Sequence, residues 1–193
     1  MDQNENKTYK VIFLGDTGVG KTSIINRFFN KNSFVEPTVG VFSSMLNVSY
    51  NGENYNLQIF DTAGQERFQS LAPCYVRDSA IAIIVFSINS KSSFQHLENW
   101  DKIFSSYASH SAHKILVGNK VDLSETRFVQ QSEAYQYQQE LNYSTYIETS
   151  ATMDINIRDL LQQCAIEISQ IENESTLQTL NLQSSTQTQN DCC

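Results

Sequence analysis

Apolar runs of strand length alternate along the chain with stretches of helical spacing. Lys10–Leu14 (KVIFL) predicts a short buried strand, ended by glycines. Thr22–Phe29 has helical spacing, with Ile24, Ile25, Phe28 and Phe29 on adjoining faces. Met45–Tyr50 and Tyr55–Phe60 flank Asn51-Gly52, a dipeptide favoured in type I′ hairpin turns. Ile81–Phe86 is a continuous apolar run. Ser93–Tyr107 places Phe94, Leu97, Trp100, Ile103, Phe104 and Tyr107 at threes and fours, which predicts one helix. Lys114–Val117 and Thr145–Glu148 predict two further strands. Ser132–Leu141 predicts a helix with Ser132 as N-cap, and Ile155–Ile171 an amphipathic one. Six strands interleaved with about five helices predict an α/β fold: a six-stranded, mostly parallel, doubly wound sheet covered on both faces.

The pattern stops near Ile171. Residues 172–193 are rich in Gln, Ser, Thr and Asn and carry three acids and no base. The expected organisation is a short polar extension over 1–8, one domain over 9–171 and a disordered tail over 172–193. The formal charge of the 193-residue chain is −8. That argues against a nucleic-acid partner, which calls for a basic face. It leaves room for a small anion, because a few backbone amides bind one locally. No apolar run reaches the ~18 residues of a membrane span. The polar start, Met1–Lys7, predicts no secretory signal, so Cys74, Cys164, Cys192 and Cys193 are not expected to form a disulfide framework.

Three motifs carry the chemistry. Gly15-Asp16-Thr17-Gly18-Val19-Gly20-Lys21-Thr22 fits G-x-x-x-x-G-K-[ST] between a strand and a helix. Its amides and the helix N-terminus suit a polyphosphate, Lys21 supplies a point charge at the β- and γ-phosphates, and the Thr22 hydroxyl suits Mg²⁺. Asp61-Thr62-Ala63-Gly64-Gln65 follows a strand. Asp61 suits the surroundings of the metal, and Gly64 lets a main-chain amide approach the γ-phosphate. Gln65 can both accept from and donate to an attacking water and the transferring oxygens. Gly118-Asn119-Lys120-Val121-Asp122 ends the fifth strand. The Asp122 carboxylate can accept from N1–H and N2–H₂ of guanine, a donor pair that adenine lacks. Asn119 can tether neighbouring loops and reach N7. The aliphatic stem of Lys120 can lie on the base. Ser150 and Ala151, in Thr149-Ser150-Ala151, offer a main-chain amide to guanine O6.

GDTGVGKT, DTAGQERF, GNKVDL and ETSA, in this order, resemble the Ras superfamily of small GTPases. DTAGQERF, Leu71–Ser79 and the terminal Cys192-Cys193 resemble its Rab branch, with the nearest likeness to the Rab subfamily of Golgi trafficking. The resemblance covers about residues 9–171 and the two cysteines. It implies binding of GTP and GDP with Mg²⁺, slow hydrolysis by a monomer, and a conformation set by the γ-phosphate. It implies that Thr38 ligates Mg²⁺ and senses the γ-phosphate, that Phe34 packs on the guanine edge, and that Cys192 and Cys193 are geranylgeranylated. It further implies an exchange factor, a GTPase-activating protein, a prenylation escort, a GDP-dissociation inhibitor and effectors. The expected location is the cytoplasmic face of a Golgi or endosomal membrane, cycling with cytosol. One lipid chain anchors weakly and this tail has no polybasic stretch, so a second chain would have to supply the second signal.

Three departures stand out. Lys21 and Thr38 are 17 positions apart, shorter than the family pattern. The four steps from Phe34 to Thr38 span at most roughly 13–14 Å, so either one of the two contacts is expected to be lost or switch I to be stretched and less mobile. Phe42-Ser43 stands where the Rab pattern has Asp-Phe, and Phe60 where it has Trp, which puts effector choice in question. Thr152 replaces a lysine whose stem would cover the base. Two other readings compete with a GTPase switch. The altered switch I motivates a GTP-binding module with little turnover. A P-loop kinase would need an arginine-rich lid, which the chain lacks.

Overall fold

The computed structural model describes residues 7–30, 41–62 and 72–187. The elements are β1 (Thr8–Leu14), α1 (Lys21–Phe28), β2 (Val41–Tyr50), β3 (Glu53–Thr62), α2 (Ala72–Val76), β4 (Ile81–Ser87), α3 (Lys91–Gln95) and α4 (Leu97–Tyr107), then β5 (His113–Asn119), α5 (Gln131–Glu140), β6 (Thr145–Thr149) and α6 (Ile157–Gln187). A 3₁₀ turn over Val121–Thr126 follows β5. The six strands form one sheet in the order β2-β3-β1-β4-β5-β6. Only β2 and β3 run antiparallel, joined at Asn51 (φ 51) and Gly52 (φ 84), both in the left-handed region that a type I′ turn requires.

Side-chain alternation splits the core in two. Val11, Phe13, Leu57, Ile59, Ile83 and Val85 face α1 and α6, with Ile24, Leu160, Cys164 and Ile168. Ile12, Leu14, Ile84, Phe86 and Leu116 face α4 and α5, with Leu97, Trp100, Phe104 and Ala134. All seven residues of β4 are buried, as a central strand covered on both faces demands. Parallel strands place their C-terminal ends, and the loops that follow, on one edge, and the motifs converge there.

Four expectations need correction. The helix expected over Ser93–Tyr107 is two. Ser90 caps α3, accepting from the Ser93 amide, and the Asn99 amide bonds to the His96 carbonyl at 3.0 Å, tightening the chain at that residue. The apolar face continues across the break, so periodicity could not see it. α5 begins at Gln131, capped by the extended Gln130 without a side-chain bond, so Ser132 lies inside the helix and is not its N-cap. α6 begins at Ile157, because Ser150 and Ile155 close a two-stranded bridge first.

The fourth concerns the tail. The helix does not stop near Ile171 but runs 31 residues to Gln187. No Gly or Pro interrupts it, Glu, Gln and Leu propagate helices well, and each added residue gains one backbone bond. Glu172 accepts hydrogen bonds from Lys7 Nζ and the Tyr9 hydroxyl, tying this extension to β1. Apolar periodicity reports packing rather than propensity, so the sequence pattern ends before the helix does. No helix among the described residues is long and apolar enough to cross a membrane.

Candidate functional site

β1 delivers the chain into the glycine-rich loop, and α1 leads away from it. A Cβ on Gly20 (φ 103) would lie 2.2 Å from Nδ2 of Asn119, and one on Gly15 (φ 138) 2.2 Å from the Val85 carbonyl oxygen. Both positions therefore exclude a side chain, because the loop is pressed against the ends of β4 and β5. Lys21 is buried, and its ammonium donates to the carbonyls of Gly15 and Asp16, each at 2.8 Å. Burial pulls its pKa down to about 8, against the opposing pull of Asp61 and Asp16. A buried cation bonded to two carbonyls at the mouth of an amide-rich loop suits an incoming polyphosphate.

Thr22, on the first turn of α1, donates from Oγ1 to Oδ2 of Asp61 at 2.6 Å. Asp61 ends β3, where Thr62 Oγ1 bonds to the Phe13 carbonyl and fixes the strand end on β1. A hydroxyl and a carboxylate within contact form an oxygen-only donor set, which fits a hard cation such as Mg²⁺. Among the described residues no three His, Cys, Asp or Glu side chains gather into a metal cage.

The loops that follow β1, β5 and β6 are tied together by one buried side chain. Asn119 Nδ2 donates to the Val19 carbonyl at 2.9 Å. Its Oδ1 accepts from the Thr149 hydroxyl at 3.1 Å and the Ala151 amide at 3.3 Å. Three loops that are distant in sequence thus meet on one carboxamide. Lys120 takes a left-handed backbone (φ 69), a strain of about 1–2 kcal/mol for a non-glycine residue. Asp122 Oδ1 then accepts from the Ser150 hydroxyl at 2.5 Å, and the same hydroxyl accepts from the Met153 amide at 3.0 Å.

Several supports carry no motif. Arg27, at the end of α1, donates to the Ala151 carbonyl at 2.6 Å and the Thr152 carbonyl at 2.7 Å. Arg127 grips Glu148 with two bonds of 2.7 and 2.8 Å. Burial pushes the Glu148 carboxyl up, but the bonds from Arg127 and Tyr146 outweigh it and hold it below its ordinary value. Trp100 and His96 reach Asp16 from α4. Their partners lie 84 and 80 residues away in sequence, so no local pattern could have announced them.

The structure therefore brings together Gly15–Thr22 with Asp61 and Asn119, and joins Asn119 to Ala151 and Asp122 to Ser150. Phe34, Thr38, Gly64, Gln65, Cys192 and Cys193 lie outside the described residues, as does the loop from Phe34 to Thr38. On the neighbouring edge, Ser43 pairs with Phe60 and Phe42 with Asp61. Phe42 is 63% exposed, and Lys10 Nζ lies 4.8 Å over the Phe60 ring.

A glycine-rich loop that opens a helix, beside a threonine–aspartate oxygen pair at the strand ends of a mostly parallel sheet, is the architecture of a P-loop nucleoside-triphosphate-binding domain. The Ras family model matches residues 10–170. Human Ras-related protein Rab-22A is 42% identical over 163 residues, covering 83% of this chain and 81% of its own. Human Ras-related protein Rab-31 is 41% identical over 163 residues, 82% of each. Arabidopsis thaliana Ras-related protein RABF2a is 36% identical over 196 residues, 98% of this chain and 97% of its own. The chain belongs to the Ras family, as a Rab-type small GTPase. It is a GTP-hydrolysing switch of vesicle trafficking, and the reading as a binding module without turnover is not favoured.

Proposed function

We propose that the loops joined by Asn119 form the guanine-nucleotide site, with roles that divide residue by residue. Gly15–Thr22 cradle the phosphates, and Lys21, held by the Gly15 and Asp16 carbonyls, directs its third N–H at phosphate oxygens. Asp122 accepts from the guanine edge, Asn119 and Lys120 border the base, and Ser150-Ala151 face its carbonyl oxygen; Phe34 closes the edge. Thr38 and Gly64 sense the γ-phosphate, so both switch segments are released when it leaves. Gln65 orients the attacking water. Thr22, Asp61 and Thr38 would hold Mg²⁺, which when bound neutralises phosphate charge. An arginine from an activating protein accelerates turnover, and an exchange factor reloads GTP. The two terminal cysteines carry lipid, a prenylation escort and a GDP-dissociation inhibitor shield it, and the GTP form recruits effectors at a Golgi or endosomal membrane. Ser43 beside Phe60, with Phe42 on the opposite face, gives this chain an effector choice of its own.

The observation that carries the reading is the single carboxamide of Asn119 bonded to Val19, Thr149 and Ala151 at once. It fixes the phosphate loop at a set distance from the base-side loops, which is what a ligand with both a base and phosphates requires. Asp122→Asn tests the base assignment. It replaces an acceptor by a donor, so GDP affinity should fall by about 10⁴-fold and xanthosine diphosphate should bind better than GDP. Unchanged GDP affinity would refute it.

A further inference from the structure

Asp16 is out of place electrostatically: a carboxylate in a loop whose amides collect anions. Its Oδ1 accepts from Trp100 Nε1 at 2.8 Å, and its Oδ2 lies 2.7 Å from His96 Nδ1. An ionised carboxylate only accepts, so Nδ1 carries the proton in this contact. Both partners come from the start of α4, where His96 is the N-cap and Trp100 lies one turn on. The positive end of that helix adds to their pull on the carboxylate. Trp100 is 3% exposed and packed in the α4-side core, so its donor is held in place. The Asp16 main chain meets Lys21 instead, its carbonyl accepting from Nζ at 2.8 Å. The residue is thus gripped from two sides, by α4 through its side chain and by the phosphate-binding lysine through its backbone.

We propose that Trp100 and His96 are positioning residues for the phosphate loop. They hold the Asp16 carboxylate off the polyphosphate and fix the carbonyl against which Lys21 is aligned. Neither touches nucleotide. The break between α3 and α4 at His96 is the device that lets one helix start present both donors. The proposal rests on reading residues 15–22 as the phosphate site. It deepens that reading by making affinity for the β-phosphate depend on a helix 80 residues downstream.

The test uses the full chain and two probes, GDP and GMP, which share base, sugar and first phosphate. Trp100→Phe removes the N–H and keeps an aromatic side chain, though a smaller one; His96→Leu removes the second donor. Each should weaken GDP about tenfold or more, the loss of one hydrogen bond to a charged group, and weaken GMP less. His96→Gln, which keeps a donor, should restore most of the GDP-over-GMP preference. The His96 side chain is 49% exposed, so His96→Leu decides the matter if Trp100→Phe does not fold. Lys21→Met serves as the control. A preference that falls in Lys21→Met but stays unchanged in both α4 variants would overturn the proposal, as would equal losses for GDP and GMP. An unchanged preference in Lys21→Met would overturn the phosphate-loop reading and the proposal with it.

Discussion

Replacing Asn119 by alanine isolates the link between the two halves of the proposed nucleotide site. The change removes three hydrogen bonds, of 2.9, 3.1 and 3.3 Å, and leaves the Val19 carbonyl, the Thr149 hydroxyl and the Ala151 amide without that partner. Asn119 itself is 1% exposed, so water does not replace it freely. At roughly 1 kcal/mol net for each bond, with some added cost for buried groups left unmet, the tether contributes about 2–4 kcal/mol. If bound nucleotide depends on the loops being held in register, that energy appears in the affinity, and release accelerates about 30- to 1,000-fold. The assay follows dissociation of a fluorescent GDP analogue from the full chain, with the unfolding midpoint recorded in the nucleotide-bound state. A lower midpoint with an unchanged release rate would refute the reasoning. Asn119 would then be a staple of the fold and not a determinant of the site.

Arg27→Met should also speed GDP release, by about ten- to a hundredfold, since it frees the carbonyls of Ala151 and Thr152; dissociation of the same analogue measures it. Lys21 has a pKa of about 8 in the free protein because it is buried. Phosphate contact raises it, so GDP binding at pH 8 should take up roughly half a proton, read by calorimetry in two buffers of different ionisation enthalpy. Lys21→Met should take up none. His113 and Glu167 bond at 2.6 Å between β5 and α6. The bond to Glu167 raises His113, against burial. Burial pushes Glu167 up, but bonds from His113, Gln163 and Ser144 outweigh it and lower it. The His113 contribution is complete below its unfolded value and is lost as pH rises through the raised one. The Glu167 contribution is present above its unfolded value and is lost as pH falls through the lowered one. The gap in melting temperature between the wild type and His113→Gln should therefore be widest from about pH 5 to 6.5 and narrow above it; a gap constant with pH would contradict this.

The strands were legible because each is a short apolar run with a turn signal at its end, and all six lie where alternation and run length placed them. The loops over Gly15–Thr22, Gly118–Asp122 and Thr149–Ala151 were legible as candidates because each motif is contiguous, and the structure places them together. What could not be read is what crosses the sheet. Arg27 meets the base loop 124 and 125 residues away, and Trp100 meets Asp16 through a ring that periodicity assigns only to the core. The α3–α4 break escaped because Phe94, Leu97 and Trp100 keep one apolar face across it. The extension of α6 escaped because Gln, Glu and Leu can prolong a helix without a continuous apolar stripe in the sequence.

The central claim is that this chain is a guanine-nucleotide switch that turns over. The most direct measurement is single-turnover release of phosphate from the purified full chain, loaded in parallel with labelled GTP and ATP. The account predicts slow, Mg²⁺-dependent release of one phosphate per bound GTP, with GDP remaining on the protein. It predicts no stable loading of ATP and a marked slowing in Gln65→Leu. GTP that loads stably and is never hydrolysed, with or without activating proteins, would contradict it, as would equal turnover of ATP.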